Sequence, residues 1–553
     1  MKYPSVAPAL AVALLSCRLP LCADVKMPAI FGDHMILQQE MKLPVWGTAD
    51  PQEEVTVTVG TESAKTTAAA DGTWRVDLPP FPNGSPATTM TVAGKNTLTF
   101  QDVLIGDVWI CGGQSNMQFG LAGAHNAATE IPQATDGQIR QFGVHLQQSL
   151  DPQKNLPGAW VVCSPQTAGR FCAVGYFFAK DLRASLNRPI GLIASNWGGT
   201  LAQAWTSQDA LRSVPELKHY SDDVDKLKAN FTQASADYPA KLAAYKDAMA
   251  TWNQTVGTTY NPLLAAWKAE VARDQLAGLP LPPKPQPSAA APVAPVPPQG
   301  PISTPSCLFN GMIAPMIPYA IKGVIWYQGE SNAGGSYEYR TLFSTLITDW
   351  RQKWGEGDFP FLFVQLASYK ANFWTVIREC QAKALALPNT GMAVAIDVGD
   401  PGPIIHPADK LDVGHRLALV AKHVAYGQDL VYSGPMYDSM KVEGSTIRLS
   451  FTQIGGGLII GSAPWVAADN KPVPTDKLYG FAIAGEDKKW FPADATIDGN
   501  TVVVSSPQVP QPVAVRYAWA NAPKCNLYNK EGLPAAPFRT DDWNDVLYHS
   551  DFP

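Results

Sequence analysis

Ser115 follows an apolar, strand-like run over residues 103–110 and the glycine pair Gly112-Gly113. A glycine turn at a strand's carboxyl end bends the chain sharply and leaves a small hydroxyl exposed, which is where an open α/β sheet places its chemistry. An ordinary strand-to-helix turn with a capping serine has the same local pattern. A serine hydroxyl is a weak nucleophile until a base takes its proton, and histidine is the usual base. Of the eight histidines, His406 alone falls in a loop after an expected core strand with acids upstream. His415 and His423 fall on the helix that follows and read as packing or surface residues.

Three more segments put polar groups just after apolar runs. Residues 189–194 end in Ser195-Asn196-Trp197-Gly198-Gly199-Thr200, and a glycine pair there exposes backbone N–H groups suited to an anion. A tight βα turn needs the same glycines. Residues 321–327 lead into Gln328-Gly329-Glu330-Ser331-Asn332, and residues 392–396 into Asp397-Val398-Gly399-Asp400. On a parallel sheet these ends line one edge, so the four segments converge. Glu330 with Asp397 or Asp400 also has the makings of a glycosidase carboxylate pair, although an acid that orients loops is the commoner role.

The elements that must hold these groups divide the 553-residue chain, which is too long for one core. Residues 24–104 read as an N-terminal β domain: Val55-Thr56-Val57-Thr58-Val59 alternates with period two, and Asp71-Gly72 and Asn83-Gly84 mark turns. Strands alternating with helices over 105–206 and 306–427 predict a mostly parallel sheet in an α/β unit. Between them, 207–305 reads as an insertion. Its first part is a helical hairpin with an apolar face of Tyr238, Leu242, Tyr245 and Met249, and its second is an extended, Pro-rich connection. Residues 428–553 turn β-rich again, as a second sandwich-like unit.

Composition narrows the partners. A formal net charge of -6 with no long basic run argues against nucleic acid. Lys2, the apolar core of residues 7–15 and Leu21-Cys22-Ala23 predict a signal peptide over 1–23, hence export to the periplasm or the extracellular space. Leu14-Leu15-Ser16-Cys17 also fits a lipoprotein box, with a lipid anchor at Cys17 as the alternative to simple secretion. No run approaches the ~20 apolar residues of a membrane span. Beyond the leader, six cysteines have no CxxC spacing, so neither a zinc site nor a redox pair is expected, and disulfides are permitted but unassigned. Cys111 reads as a buried small hydrophobe.

Taken together, Gly113-Gln114-Ser115-Asn116-Met117, Trp197-Gly198-Gly199-Thr200, Trp326-Tyr327-Gln328-Gly329-Glu330-Ser331-Asn332 and Ile405-His406-Pro407 resemble, in order, the blocks of the sialate O-acetylesterase family, in the SGNH branch of serine esterases. Asp33-His34-Met35-Ile36-Leu37-Gln38, Pro44-Val45-Trp46-Gly47, Arg378-Glu379, Tyr517-Ala518-Trp519-Ala520-Asn521 and Leu527-Tyr528-Asn529 extend the likeness over nearly the whole mature chain except the insertion.

The resemblance implies an SGNH-type α/β fold and a serine esterase that removes O-acetyl groups from carbohydrates without metal or other cofactor. Ser115 would be the nucleophile and His406 the base and acid. The oxyanion hole would combine the N–H groups of Ser115 and Gly199 (or Gly198) with a side-chain amide from Gln328 or Asn332. The substrate would be O-acetylated sialic acid or a plant polysaccharide such as xylan or xyloglucan. One departure stands out: the acid that SGNH enzymes often place three residues before the histidine is Pro403 here. Asp400 is then the first candidate to orient His406, Asp397 the second, and a backbone carbonyl the third. That departure keeps a non-catalytic glycan-binding protein on an esterase scaffold as the alternative reading.

Overall fold

The computed structural model describes residues 24–276, 282–369, 373–399, 404–461 and 476–543. The leader with Cys17, and Asp400 with Pro403, lie outside the described residues.

The main path of the largest sheet has seven strands: β1 (Thr97–Gly113), β2 (Ile139–Val144), β3 (Gly158–Val162), β4 (Ile190–Asn196), β5 (Gly323–Tyr327), β6 (Phe361–Gln365) and β7 (Thr390–Val394). Their order is β7-β6-β5-β1-β4-β2-β3, and every pair is parallel except the edge pair β2–β3. The central strands are apolar on both faces because helices cover both sides of a parallel sheet. The longer helices are α1 (Ala173–Leu186), α2 (Lys218–Trp252), α3 (Thr258–Leu276), α4 (Ser336–Trp354), α5 (Trp374–Lys383) and α6 (Leu411–Val424).

Register sets the level of the sheet's upper edge. Gly113 lies opposite Asn196 on β4 and Tyr327 on β5, so three strands end together and their loops emerge side by side. At Gly113, φ is 128° and a Cβ would fall 2.2 Å from the Tyr327 carbonyl oxygen, so the turn admits only glycine. Across the sheet, α6 packs on α1 at Gly414, where a Cβ would fall 2.6 Å from that of Phe177. That close crossing fixes the amino end of α6 and the His406 loop before it.

β1 also joins two units. Its first half pairs with Thr88–Ala93 and its middle with Ile36–Gln38, so one continuous strand crosses the boundary expected between residues 104 and 105. The C-terminal segment forms two four-stranded antiparallel sheets and a two-stranded one. Arg378 on α5 pins it to the parallel sheet. Fully buried, its guanidinium donates to the carbonyls of Leu366 (2.8 Å), Ala367 (2.8 Å), Ala520 (2.9 Å) and Asn521 (2.9 Å). The neighbouring Glu379 pairs with Arg539 at 2.8 Å.

The insertion differs from the expected hairpin. α2 runs through a π-helical turn, Asn253–Gly257, into α3 without reversing, because the junction residues Asn253 and Thr258 keep right-handed helical dihedrals. The chain returns instead through the Pro-rich segment, whose Ala289 and Pro282 carbonyls accept the indole N–H groups of Trp252 and Trp267, both at 2.9 Å. The six described cysteines are free thiols, and Cys111 is buried.

Candidate active site

Ser115 opens a single helical turn, Ser115–Gln118, immediately beyond β1. Its Oγ lies 2.8 Å from His406 Nε2, in the range for proton exchange between a nucleophile and its base. Both residues are half-buried. Burial holds the His406 imidazole below its ordinary value, and the nearby Lys410 cation pushes the same way.

The Ser115 turn is also a hub, because its alternate side chains tie down the three loops around it. Gln114 Oε1 accepts from the Ser331 N–H at 3.2 Å, which holds the loop after β5. Gln118 Oε1 accepts from the Gly198 N–H at 2.9 Å, which holds the loop after β4. Between them, Asn116 Nδ2 donates to Glu330 Oε1 at 2.6 Å and to the Ile405 carbonyl at 3.0 Å, joining the β5 loop to the His406 loop. Sequence reading left the roles of Asn116 and Gln118 unassigned. The amides alternate in Gln114-Ser115-Asn116-Met117-Gln118, but the alternation does not name their distant partners.

With the Gly198 N–H engaged by Gln118, the N–H groups of Ser115 and Gly199 have no acceptor among the described residues. The Gly198 backbone lies against Ser115, since a Cβ on Gly198 would sit 3.2 Å from that of Ser115. At Gly199, φ is 77° and nothing lies within 4 Å of where a Cβ would be, which leaves room beside the two donors for a small acyl group.

Gln328 and Asn332 depart from the expected donor role. Gln328 is fully buried, and its amide nitrogen donates to the Thr200 carbonyl at 3.2 Å and to Asn332 Oδ1 at 2.7 Å. Asn332 Nδ2 donates to Gln203 Oε1 at 3.1 Å. Buried amides must bond where they lie, and these brace residues 200–203 against the β5 loop.

The carboxylates are distributed unlike a glycosidase pair. Asp397 forms a buried two-point ion pair with Arg416, at 2.6 and 2.9 Å, and also accepts from the Tyr528 hydroxyl. It is therefore a structural group rather than the partner of His406. Glu330 is buried against Asn116, and burial raises its carboxyl above the ordinary range. Asp400 lies outside the described residues. Among the described residues, the hydrogen bond His406 makes is the one to Ser115.

A family model described as a carbohydrate esterase, sialic acid-specific acetylesterase, matches residues 105–256 and 308–422, the two segments that build this sheet and site. The sialate O-acetylesterase of Mus musculus is 30% identical over 95% of this chain and 96% of its own length. The chain belongs to the sialate O-acetylesterase family. Its Homo sapiens relative is 29% identical over 93% of this chain and 92% of its own. In three dimensions, a carbohydrate acetylesterase from Xanthomonas citri superposes with a TM-score of 0.74 at 36% identity, covering 94% of this chain and all of the other. As a sialate O-acetylesterase family member, the chain is a carbohydrate O-acetylesterase.

Proposed function

We propose that Ser115 is the nucleophile and His406 the general base and acid of a two-step deacetylation through an acetyl-serine. The observation that carries this reading is the 2.8 Å contact of Ser115 Oγ with His406 Nε2, beside the open N–H groups of Ser115 and Gly199. Ser115 Oγ attacks the acetyl carbonyl carbon while His406 Nε2 takes its proton. The two N–H groups stabilise the resulting oxyanion, each donor contributing about 2.7–4 kcal/mol to the barrier. His406 then protonates the departing sugar oxygen, and the ester bond breaks. Water attacks the acetyl-serine, its proton passes to His406, and acetate leaves as Ser115 recovers the proton. Asp400, the first candidate from the sequence, is the acid proposed to orient His406.

The substrate in this reading is an O-acetylated carbohydrate, either sialic acid, as the names of the mammalian relatives state, or a plant polysaccharide such as acetylated xylan or xyloglucan. The protein works outside the cytoplasm after cleavage of the 1–23 leader or lipidation at Cys17. No helix among the described residues is long and apolar enough to cross a membrane.

Acetate release from acetylated sialic acid and from acetylated xylo-oligosaccharide, measured in parallel with wild type and Ser115→Ala, tests the proposal. Release from at least one substrate, reduced roughly 10⁴-fold or more in the variant, is expected. Undiminished release by Ser115→Ala overturns the assignment.

A further inference from the structure

Four residues from His406, at the start of α6, stands Lys410, a fully buried side chain with no part in the chemistry above. Its Nζ donates to Asn116 Oδ1 at 2.5 Å and lies over the rings of Phe119 and Tyr327, at 4.9 and 5.3 Å from their centroids. At the other end of the same amide, Asn116 Nδ2 donates to Glu330 Oε1 and to the Ile405 carbonyl. Lysine has only donors and a carboxylate only acceptors, so the two ends allow the Asn116 amide one orientation. In that orientation its NH₂ group must face the Ile405 carbonyl. The Ile405 carbonyl belongs to the peptide that enters His406.

We propose that Lys410, Asn116 and Glu330 form a polarised clamp that positions the His406 imidazole against Ser115. The clamp rests on the assignment of Ser115 and His406 as nucleophile and base. A cation and a carboxylate in one buried site are costly unless each is bonded, and Asn116 bridges them while the aromatic rings face the ammonium. The resulting bonds fix the backbone at Ile405, where the two isoleucines before His406 offer no polar side chain to do so. Lys410, Asn116 and Glu330 are positioning residues, because they act on the reaction only through His406.

Lys410→Met keeps the length and apolar stem of the side chain while removing the donor. Hydrolysis of 4-nitrophenyl acetate by this variant is expected to show kcat reduced about 10²-fold, the cost of a misplaced catalytic group. KM should stay within about threefold of wild type, since ground-state binding is untouched. The decisive comparison is the double variant Lys410→Met/His406→Ala. If Lys410 acts through His406, the second change adds nothing to His406→Ala alone; a purely structural lysine costs the same factor again. Asn116→Leu, alone and with His406→Ala, repeats the comparison from the middle of the clamp should Lys410→Met fail to fold. Additive losses, or wild-type kcat in Lys410→Met, overturn the clamp. Wild-type activity in Ser115→Ala would instead overturn the assignment beneath it, so the two failures are distinguishable.

Discussion

His406 meets two influences that both disfavour its imidazolium form, burial and the charge of Lys410. The neutral ring, which in the proposed mechanism takes the Ser115 proton, therefore persists to lower pH than in a free histidine. The acid limb of kcat/KM, which reports the free enzyme's base, should have its midpoint below 6.5. A pH profile with 4-nitrophenyl acetate checks this, and a midpoint at or above that value contradicts it. At this scale the sequence was informative wherever one residue sits alone at a strand's end. Ser115 and His406 were legible because each follows an apolar run, and chemistry then left few candidates. Lys410 and the roles of Asn116 and Gln118 were not. Their partners lie hundreds of residues or a whole loop away, and an amide or a lysine has no pattern that announces a distant acceptor. Gln328 and Asn332 show the converse. Their position after β5 suggested donors at the site, but which way a buried amide points is decided by the neighbours it must satisfy.

The elements that frame the site hold together through buried polar groups as much as through apolar packing. Arg378 on α5 supplies donors to four carbonyls, two after β6 and two in the C-terminal segment. Arg378→Met removes all of these donors, and each buried carbonyl left unsatisfied costs about 1–3 kcal/mol. Thermal unfolding should show a clearly lowered Tm, and limited proteolysis should cut first between the parallel sheet and the C-terminal sheets. An unchanged Tm would mean that apolar contacts alone dock that unit. Glu379→Gln, which weakens the largely buried pair with Arg539 at the same junction but leaves an amide oxygen able to accept from it, should cost less. The strands of the parallel sheet were readable because burial on both faces makes them continuous apolar runs. The shared strand β1 was harder, since its polar, exposed stretch around Gln101-Asp102 looks like an end and is in fact the passage between two sheets. In the insertion the expected reversal is absent: Gly257 is buried, and the π-helical turn carries the helix straight through it.

Seen whole, the molecule carries a long arm whose length is set by two backbones running back to back. Residues 252 to 267 rise about 22 Å as helix, and residues 282 to 289 span about 22 Å as an extended polyproline strand. That match lets both tryptophans reach carbonyls of the returning chain. The apolar face read from Tyr238, Leu242, Tyr245 and Met249 lies half-buried among exposed neighbours and continues through Trp252 and Trp267, which bond the strap. Near its base the arm is fastened to the body by Tyr220 to Glu338 at 2.6 Å and by Gln148 to the Gly300 carbonyl at 3.2 Å. Among the described residues, none of the contacts that build the Ser115–His406 centre comes from beyond that base. Excising residues 240–294 and joining the cut ends with a short glycine linker should therefore leave kcat/KM for 4-nitrophenyl acetate within about twofold of wild type, as expected for well-separated sites. The same protein assayed on an acetylated polysaccharide isolates what the arm does, because a small ester reads the centre alone and a polymer also reads what lies around it. A large fall with the small ester would mean that the arm braces the centre, and would move the origin of the site's rigidity from the hub at residues 114–118 out to the insertion.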